Sequence, residues 1–426
     1  MSPPSVTPAT AAPSASAAPS DRDGGGLLAR TWGWGLAGLG VTAAGVALAL
    51  DTGPARSAAS QVWSPFVLVA GLLLVGLVAD QDGLFAAAGH RLAAIAPNGL
   101  ALFAGAAVLV AAVTALLNLD TSVVFLTPVL VYAARRRGQG EAALLIGCLL
   151  LSNAGSLLLP GSNLTNLIVL GHLHLSGGQF FGHMALPWLG AVVVTTTVVA
   201  LAERRSLSLS ATGVAPAASA QAPSTASPAG EGAGPTADAD PATLVVGLGA
   251  LAVVAVTVLV VALANPALPV AGVGLLVIVT RLVAHRQHLR RVLGVLGIPV
   301  LVGLFGIAMA LGTLGRAWSG PATLLAHLDG VGTAAVAALA TVVVNNLPAA
   351  GLLAARVPPH PFALLVGLNL GPNLFVTGSL AWILWWRTAR SAGASVPVRR
   401  AVVVGLVTVP LSMAAALGLL AATGSL

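Results

Sequence analysis

Charged side chains are scarce in this 426-residue chain, and its nineteen basic residues are all arginine. Only 7% of its residues are charged, whereas a soluble domain has about 25%. Hydrophobic residues make up 57%, and the mean hydropathy is +0.96. This composition excludes a soluble globular domain, because too few polar residues remain to cover a surface. It predicts an all-α polytopic membrane protein.

Cysteine is also nearly absent. Cys148 is the single one, so no disulfide can form within the chain. The sequence has no GxxxxGK[ST] phosphate-binding loop, no Ser–His–Asp arrangement and no zinc-protease spacing. His172 and His174 form a short histidine pair, but no acid or cysteine accompanies them as a metal ligand. We therefore predict neither an enzyme nor a cofactor nor a metal site.

Two segments lack apolar periodicity. Residues 1–30 and 206–241 are rich in Ala, Pro and Ser, which predicts a disordered N-terminal tail and a disordered linker. The linker divides the membrane part into two halves, 31–205 and 242–426. The net charge of +7 comes from arginines that lie between apolar segments. Membrane topology explains that pattern better than nucleic-acid binding does.

The apolar segments predict the topology, since a membrane span needs about 20 residues. The segments are 33–50, 62–79, 99–134, 141–175, 186–202, 242–264, 268–284, 295–315, 332–357, 361–389 and 401–422. When the arginine clusters are placed in the cytoplasm, segments 99–134 and 332–357 each enter and leave on one side, so they are predicted re-entrant hairpins. The N-terminus and the linker are then cytoplasmic and the C-terminus lies outside the cell membrane. Arg56, Arg316 and Arg356 are isolated exceptions.

The two halves repeat one order of elements: a span, a hairpin, an interrupted span and a final span. The first copy covers 62–202 and the second covers 295–422, and the predicted topology runs them in opposite directions. The fold class is therefore two inverted repeats, each with a re-entrant hairpin and a broken transmembrane helix. Such repeats place a substrate near the membrane midplane, between the copies.

Four polar clusters interrupt the apolar pattern, and we name them by position. The first tip cluster is Asn118, Asp120, Thr121 and Ser122; the first break cluster is Ser162, Asn163, Thr165 and Asn166; the second tip cluster is Asn345, Asn346 and Pro348; the second break cluster is Asn369, Asn373, Thr377 and Ser379. Irregular backbone in hydrocarbon must line a cavity or be covered by protein. The symmetric pairing of the clusters favours a binding site for a solute or ion over polar contacts between helices, which are the alternative.

Asp120 is the one acid that this topology places deep in the membrane. An intramembrane carboxylate is costly and is a functional candidate by default. We predict that it couples transport to protons. The alternative is a structural role at the hairpin tip, where Asp often accepts hydrogen bonds from nearby backbone N–H groups.

The clusters resemble those of the arsenite permease family (arsenical pump membrane proteins), in the superfamily of the dicarboxylate/sodium symporters. The matching stretches are "NLDTSVVFLTPVL" (118–130), "SNAGSLLLPGSNLTNLIV" (152–169), "VVNNLPAAGLLAA" (343–355) and "LNLGPNLFVTGSLAWILWWR" (368–387). Together they extend the resemblance over residues 60–422, without the linker. Some members have two asparagines before the acid at the first tip, where this chain has Asn118-Leu119-Asp120. This difference weakens the assignment of arsenite as the cargo more than it weakens the assignment of the fold.

The resemblance implies a scaffold, a mobile transport domain that holds the hairpins, and proton-driven efflux of arsenite or antimonite. It implies that two groups of residues face each other across the site: Asn118, Asp120, Ser162, Asn163 and Thr165 on one side, and Asn345, Asn346, Asn373, Thr377 and Ser379 on the other. The implied partners are membrane lipid, a small inorganic substrate, protons or sodium, and a second copy in a homodimer. Some members work with an ATPase subunit, a partnership on which this sequence carries no signal.

Two other functions remain open from the residues. A sodium-coupled carboxylate transporter or a sodium/proton exchanger could use the same fold, although the second half has Asn-Asn-Leu-Pro and Gly-Pro-Asn in place of a Ser-Asn-Thr run. A membrane scaffold or sensor without transport would tolerate substitution at all four polar clusters. Sodium dependence separates the first alternative from arsenite efflux, and solute flux separates the second.

Overall fold

The computed structural model describes residues 24–171, 173, 175–208 and 247–426, with side chains from residue 33 onward. Within these ranges the chain forms helices and their connections, without a strand, and the predicted all-α fold is confirmed. The helix α1 begins at Gly24, inside the predicted tail. The last helix before the linker ends at Ser208. The remaining tail and linker residues, and the His172–His174 pair, lie outside the described residues.

The first half contains nine helices among its described residues: α1 (Gly24–Leu50), α2 (Thr52–Gln81), α3 (Leu84–Ile95), α4 (Gly99–Leu116), α5 (Leu119–Arg136), α6 (Ala142–Gly155), α7 (Leu164–Leu170), α8 (Gly177–Ala202) and α9 (Arg204–Ser208). The second half, from residue 247, contains ten: α10 (Leu248–Ala262), α11 (Ala267–Val283), α12 (Leu289–Leu296), α13 (Ile298–Ala317), α14 (Gly320–Ala326), α15 (Gly330–Val344), α16 (Asn346–Leu353), α17 (Pro361–Leu370), α18 (Leu380–Ser391) and α19 (Val398–Ala422). Six helical stretches of the described chain are long and apolar enough to cross a membrane.

Helices stop and restart at all four polar clusters. The pair α4 and α5 turns at Leu117 and Asn118, and the pair α15 and α16 turns at Asn345. Residues 156–163 separate α6 from α7, and residues 371–379 separate α17 from α18; each link contains a single 3₁₀ turn that includes a proline. A proline has no N–H to continue a helical ladder, which disfavours a continuous helix across these two links.

The elements of the two halves follow one order and pack reciprocally. The helix before each copy packs on the first helix of the other copy, so that α1 lies on α13 and α11 lies on α2. Glycines make both contacts close: Gly40 meets Gly303 in the first pair, and Gly71 meets Gly274 in the second. Small residues let helix backbones approach in this way. The inverted orientation of the copies stays a prediction.

The main arginine clusters join helix ends at one end of the bundle. Arg281 forms an ion pair with Asp82, and Arg400 forms one with the buried Glu203. Arg135, at the end of α5, donates to two carbonyls just after α18, at 2.9 and 2.8 Å. The C-terminal ends of α2 and α11 therefore lie together, as do those of α5 and α18, while the end of α8 meets the start of α19. Their cytoplasmic location remains a prediction from the arginine pattern.

Candidate functional site

The first residues of four helices line one small cavity. Its wall consists of Leu119 and Asp120 from α5, Asn163 and Leu164 from α7, Asn345, Asn346 and Leu347 from α16, Ser379 and Leu380 from α18, and Leu304 from α13. Its volume is about 20 Å³, which is room for one or two water molecules. Both hairpins and both interrupted spans thus contribute a helix start to one point.

Asparagines at the helix starts explain why the chain resumes a helix there. The side-chain oxygens of three of them accept bonds from backbone N–H groups in the first turn, as helix-capping residues do. The bonds join Asn118 Oδ1 to Thr121 N (2.7 Å), Asn163 Oδ1 to Thr165 N (3.2 Å) and Asn345 Oδ1 to Leu347 N (3.4 Å). Ser379 precedes α18, and its buried hydroxyl has no partner in the described structure.

The electrostatics of the cavity come mostly from backbone. A helix N-terminus carries a partial positive charge and unpaired N–H groups, which attract oxygen atoms and anions. Three of the four helices, α5, α16 and α18, have eight or more residues. Asp120 is the one ionisable residue of the lining, which includes no arginine and no histidine. Such a site can hold a small oxygen-rich solute between N–H donors and a carboxyl group.

Five of the thirteen predicted site residues lie on the cavity wall. They are Asp120, Asn163, Asn345, Asn346 and Ser379, and they come from all four polar clusters. The structure brings these clusters together although the second tip lies more than two hundred residues after the first. Binding of a solute by these residues stays a prediction.

A second group of predicted residues joins the two interrupted spans to each other. The amide of Asn369 in α17 donates to Asn166 Oδ1 at 2.8 Å and accepts from Asn163 Nδ2 at 2.7 Å. Its oxygen also accepts from Ser156 Oγ at 2.6 Å. All these groups are buried. Asn163 therefore links the cavity wall to a hydrogen-bond network that spans both breaks.

A second bridge lies deeper in α6. Asn373 Oδ1 accepts from Asn153 Nδ2 at 2.7 Å, and Asn373 Nδ2 donates to the Leu150 carbonyl at 3.1 Å. Asn153 and Ser156 were not among the predicted site residues. The sequence did contain a pattern that could have identified them. Both are polar, and they lie three positions apart near the end of an apolar helix, which places them on one face.

The other predicted residues surround the cavity without lining it. Ser162 Oγ donates to the Ala115 carbonyl at 2.9 Å, and Thr377 Oγ1 donates to the Val342 carbonyl at 2.6 Å. Among these remaining predicted residues, three buried polar atoms have no hydrogen-bond partner in the described structure: Asn118 Nδ2, Thr121 Oγ1 and Thr165 Oγ1. Contacts of these residues with a solute or ion remain predictions.

A multi-pass protein whose polar site lies between hairpin tips and helix breaks is, by class, a secondary transporter. The family model of CitMHS, described as a citrate transporter, matches residues 27–385. The chain belongs to this family, and it is a transporter and not an enzyme. The description names citrate and does not name arsenite.

A comparison with solved structures gives a similar chain. The chain is similar to the YdaH transporter of Alcanivorax borkumensis, whose crystal structure is described as revealing an unusual topology. The identity is 16% over 85% of this chain and 86% of the other, with a TM-score of 0.49.

Proposed function

We propose that this protein is a proton-coupled secondary transporter of the cell membrane that exports arsenite or antimonite. One observation carries the proposal: four helix starts converge on Asp120 in a cavity of about 20 Å³ whose wall has no cationic side chain. A polar site without a fixed positive side chain suits a small solute with little or no charge. The trihydroxides of trivalent arsenic and antimony are neutral and have both donors and acceptors.

The charge of the cavity favours such a solute over free citrate, and the smaller solute needs less widening of the cavity of about 20 Å³. A citrate ion is several times larger than a trihydroxide, and its negative charges would face an ionised Asp120 without a compensating arginine. Like charges in a medium of low dielectric constant repel strongly. A trihydroxide instead offers hydroxyl donors to the carboxylate and oxygen acceptors to the backbone N–H groups.

Proton exchange follows from the chemistry of Asp120. The ionised carboxylate accepts hydrogen bonds from the hydroxyls of the solute, whereas the protonated carboxyl loses acceptor capacity. A proton that reaches Asp120 from outside therefore weakens solute binding and favours release on that side. Loss of that proton to the cytoplasm restores the site for the next solute molecule.

A carboxylate is the second candidate cargo, and the family description favours it. Helix N-termini attract carboxylate oxygens, so a protonated Asp120 would make the cavity suitable for an anion after it widens. This alternative predicts uptake that depends on sodium or on protons. Sodium/proton exchange by the same fold is a further form of it. The homodimer and the cytoplasmic N-terminus remain parts of the proposal.

The test is uptake of arsenite into everted membrane vesicles, with a proton gradient imposed and then collapsed. We expect gradient-dependent uptake that falls about tenfold or more in Asp120→Asn, the effect of losing one hydrogen bond to a charged group. Asp329→Asn is the matched control. Asp329 accepts a bond from Gly332 N at the start of α15, and Asn preserves that cap.

Two results would contradict the proposal. Normal gradient-driven uptake in Asp120→Asn would remove Asp120 from the coupling path. Citrate uptake without arsenite uptake, by protein that is correctly inserted, would assign the cargo to carboxylates. Repeating both assays with and without sodium identifies the coupling ion.

A further inference from the structure

Arg316 is one of the arginines that the predicted topology leaves outside the cytoplasmic clusters. It lies in the last turn of α13 and is partly buried. Its guanidinium donates to the Gly312 carbonyl at 2.9 Å and to Gln61 Oε1 at 2.6 Å. Arg316 therefore joins α13, the first helix of the second copy, to α2, the first helix of the first copy.

Gln61 extends this contact to the two shortest helices that start at the cavity. Its Nε2 donates to the Ile168 carbonyl at 2.9 Å and to the Ala354 carbonyl at 3.0 Å. These carbonyls lie at the C-terminal ends of α7 and α16, where the last carbonyls of a helix have no partner within the helix. One amide thus caps both helices, and the nearby guanidinium complements the negative ends of their dipoles.

The orientation of the Gln61 amide depends on Arg316. A guanidinium is a donor only, so it must face Oε1, and Nε2 is then directed to the two carbonyls. A glutamate at position 61 would place a carboxylate oxygen, which accepts hydrogen bonds, against the two carbonyl oxygens, which also accept them. The pair therefore requires an amide on α2 and a donor on α13.

The two helices that Gln61 holds also line the candidate site. At 1.5 Å per residue, α7 and α16 are only about 10–12 Å long. Asn163 and Leu164 of α7 reach the small cavity, while Leu170 and Gly171 reach a second cavity of about 460 Å³. Gln61 is part of the wall of that second cavity, together with polar residues such as Ser64 and Asn265.

We propose that Gln61 and Arg316 are positioning residues that hold the ends of α7 and α16 and so close the transport site toward the 460 Å³ cavity. That cavity is the outer vestibule for a small, oxygen-rich solute. The inference rests on the proposed location of the transport site at the helix starts, and it is independent of the cargo. Release of the amide from either carbonyl frees a short helix to move and opens the site.

The experiment measures how fast a cysteine in the small cavity reacts with a membrane-impermeant maleimide. Cys148 is the chain's single cysteine, so Cys148→Ala removes the background, and Leu164→Cys supplies the reporter. We expect Arg316→Gln and Gln61→Glu to raise the labelling rate about tenfold, as loss of a hydrogen bond to a charged group would. Arg316→Lys, which retains the charge and a donor, should restore slow labelling.

Arg56→Gln is the matched control, because Arg56 is an exposed arginine on α2, the same helix as Gln61. The reagent is added to intact cells and to everted vesicles. The increase should appear in intact cells, because the vestibule is the outer one, and an increase in everted vesicles alone would contradict the proposal. Equal labelling rates in Arg316→Gln and Arg56→Gln would overturn the proposal. So would an increase from both sides, which indicates general loosening. The readout needs no cargo, so it succeeds or fails separately from arsenite transport.

Discussion

At the scale of single residues, Asn345 combines a structural and a site role. Its backbone has φ +75° and ψ 153°, a region that is almost restricted to glycine and costs about 1–3 kcal/mol for other residues. Its side chain caps α16 through Leu347 N, and its Nδ2 donates to the Thr377 carbonyl at 3.1 Å. The side chain therefore stabilises a strained turn at the edge of the cavity, because it links the second tip to the second break.

Substitution of Asn345 separates these two effects. Glycine removes the strain and both side-chain bonds, whereas alanine removes the bonds and retains the strain. We expect Asn345→Gly to be about 1–3 kcal/mol more stable than Asn345→Ala, with both variants impaired in transport. Thermal unfolding in detergent and vesicle uptake would measure this. Equal stability of the two variants would show that the turn relaxes at no cost.

At the scale of elements, α19 determines the position of the second break. Gly405 lies against the carbonyl of Asn373, and a Cβ at this position would overlap that oxygen. Asn373 in turn bonds Asn153 across the two interrupted spans. The second break is therefore held between α19 and α6, so a displacement of α19 would reach the site through Asn373.

Gly405→Ala tests this contact. Overpacking of a close contact costs about 1–3 kcal/mol, so we expect a lower unfolding temperature together with weaker transport. Gly418→Ala is the control in the same helix, because a Cβ there would have no neighbour within 4 Å. Alanine favours a helix more than glycine does, so this variant should be neutral or slightly more stable. The same loss of stability in both variants would contradict the role of Gly405.

At the scale of the whole molecule, ion pairs join the ends of helices that are far apart in the sequence. Asp82 contributes twice, since it pairs with Arg281 and also accepts from Gly249 N at 2.7 Å. The acid at the end of α2 thus anchors the first turn of α10, which follows the linker. These contacts join the two halves at the end that we predict to be cytoplasmic, although the connecting segment lies outside the described residues.

Cysteine labelling can test the sidedness of the bundle. In the Cys148→Ala background, Ala422→Cys lies at the exposed end of α19 and Ser391→Cys at the exposed end of α18. We expect an impermeant reagent to label Ala422→Cys on intact cells, and to label Ser391→Cys after permeabilisation. The reverse pattern would invert the topology and place the arginine-rich end outside.

Local chemistry explains why so much of the fold could be predicted from the sequence. The scarcity of charge predicts the membrane, and Pro160, Pro372 and the capping asparagines mark the places where helices end and begin. These signals act within a few residues of the chain, so periodicity and residue type are sufficient to find them. The short helices α3, α9, α12 and α14 were not predicted, because they lie mostly between the apolar segments and are too short to give the signal of a span of about 20 residues.

The sequence by itself therefore determined the membrane class, the broken spans and the polar clusters of this protein. Tertiary structure decided which asparagines line the cavity and which join the two interrupted spans by hydrogen bonds. Asn346 lies on the cavity wall, while Asn369 donates to Asn166. It also decided that Arg316, 255 positions from Gln61, donates to the amide that caps α7 and α16. The physical reason is that spacing sets the face of a residue on its own helix, whereas the partner of that face depends on how distant helices pack.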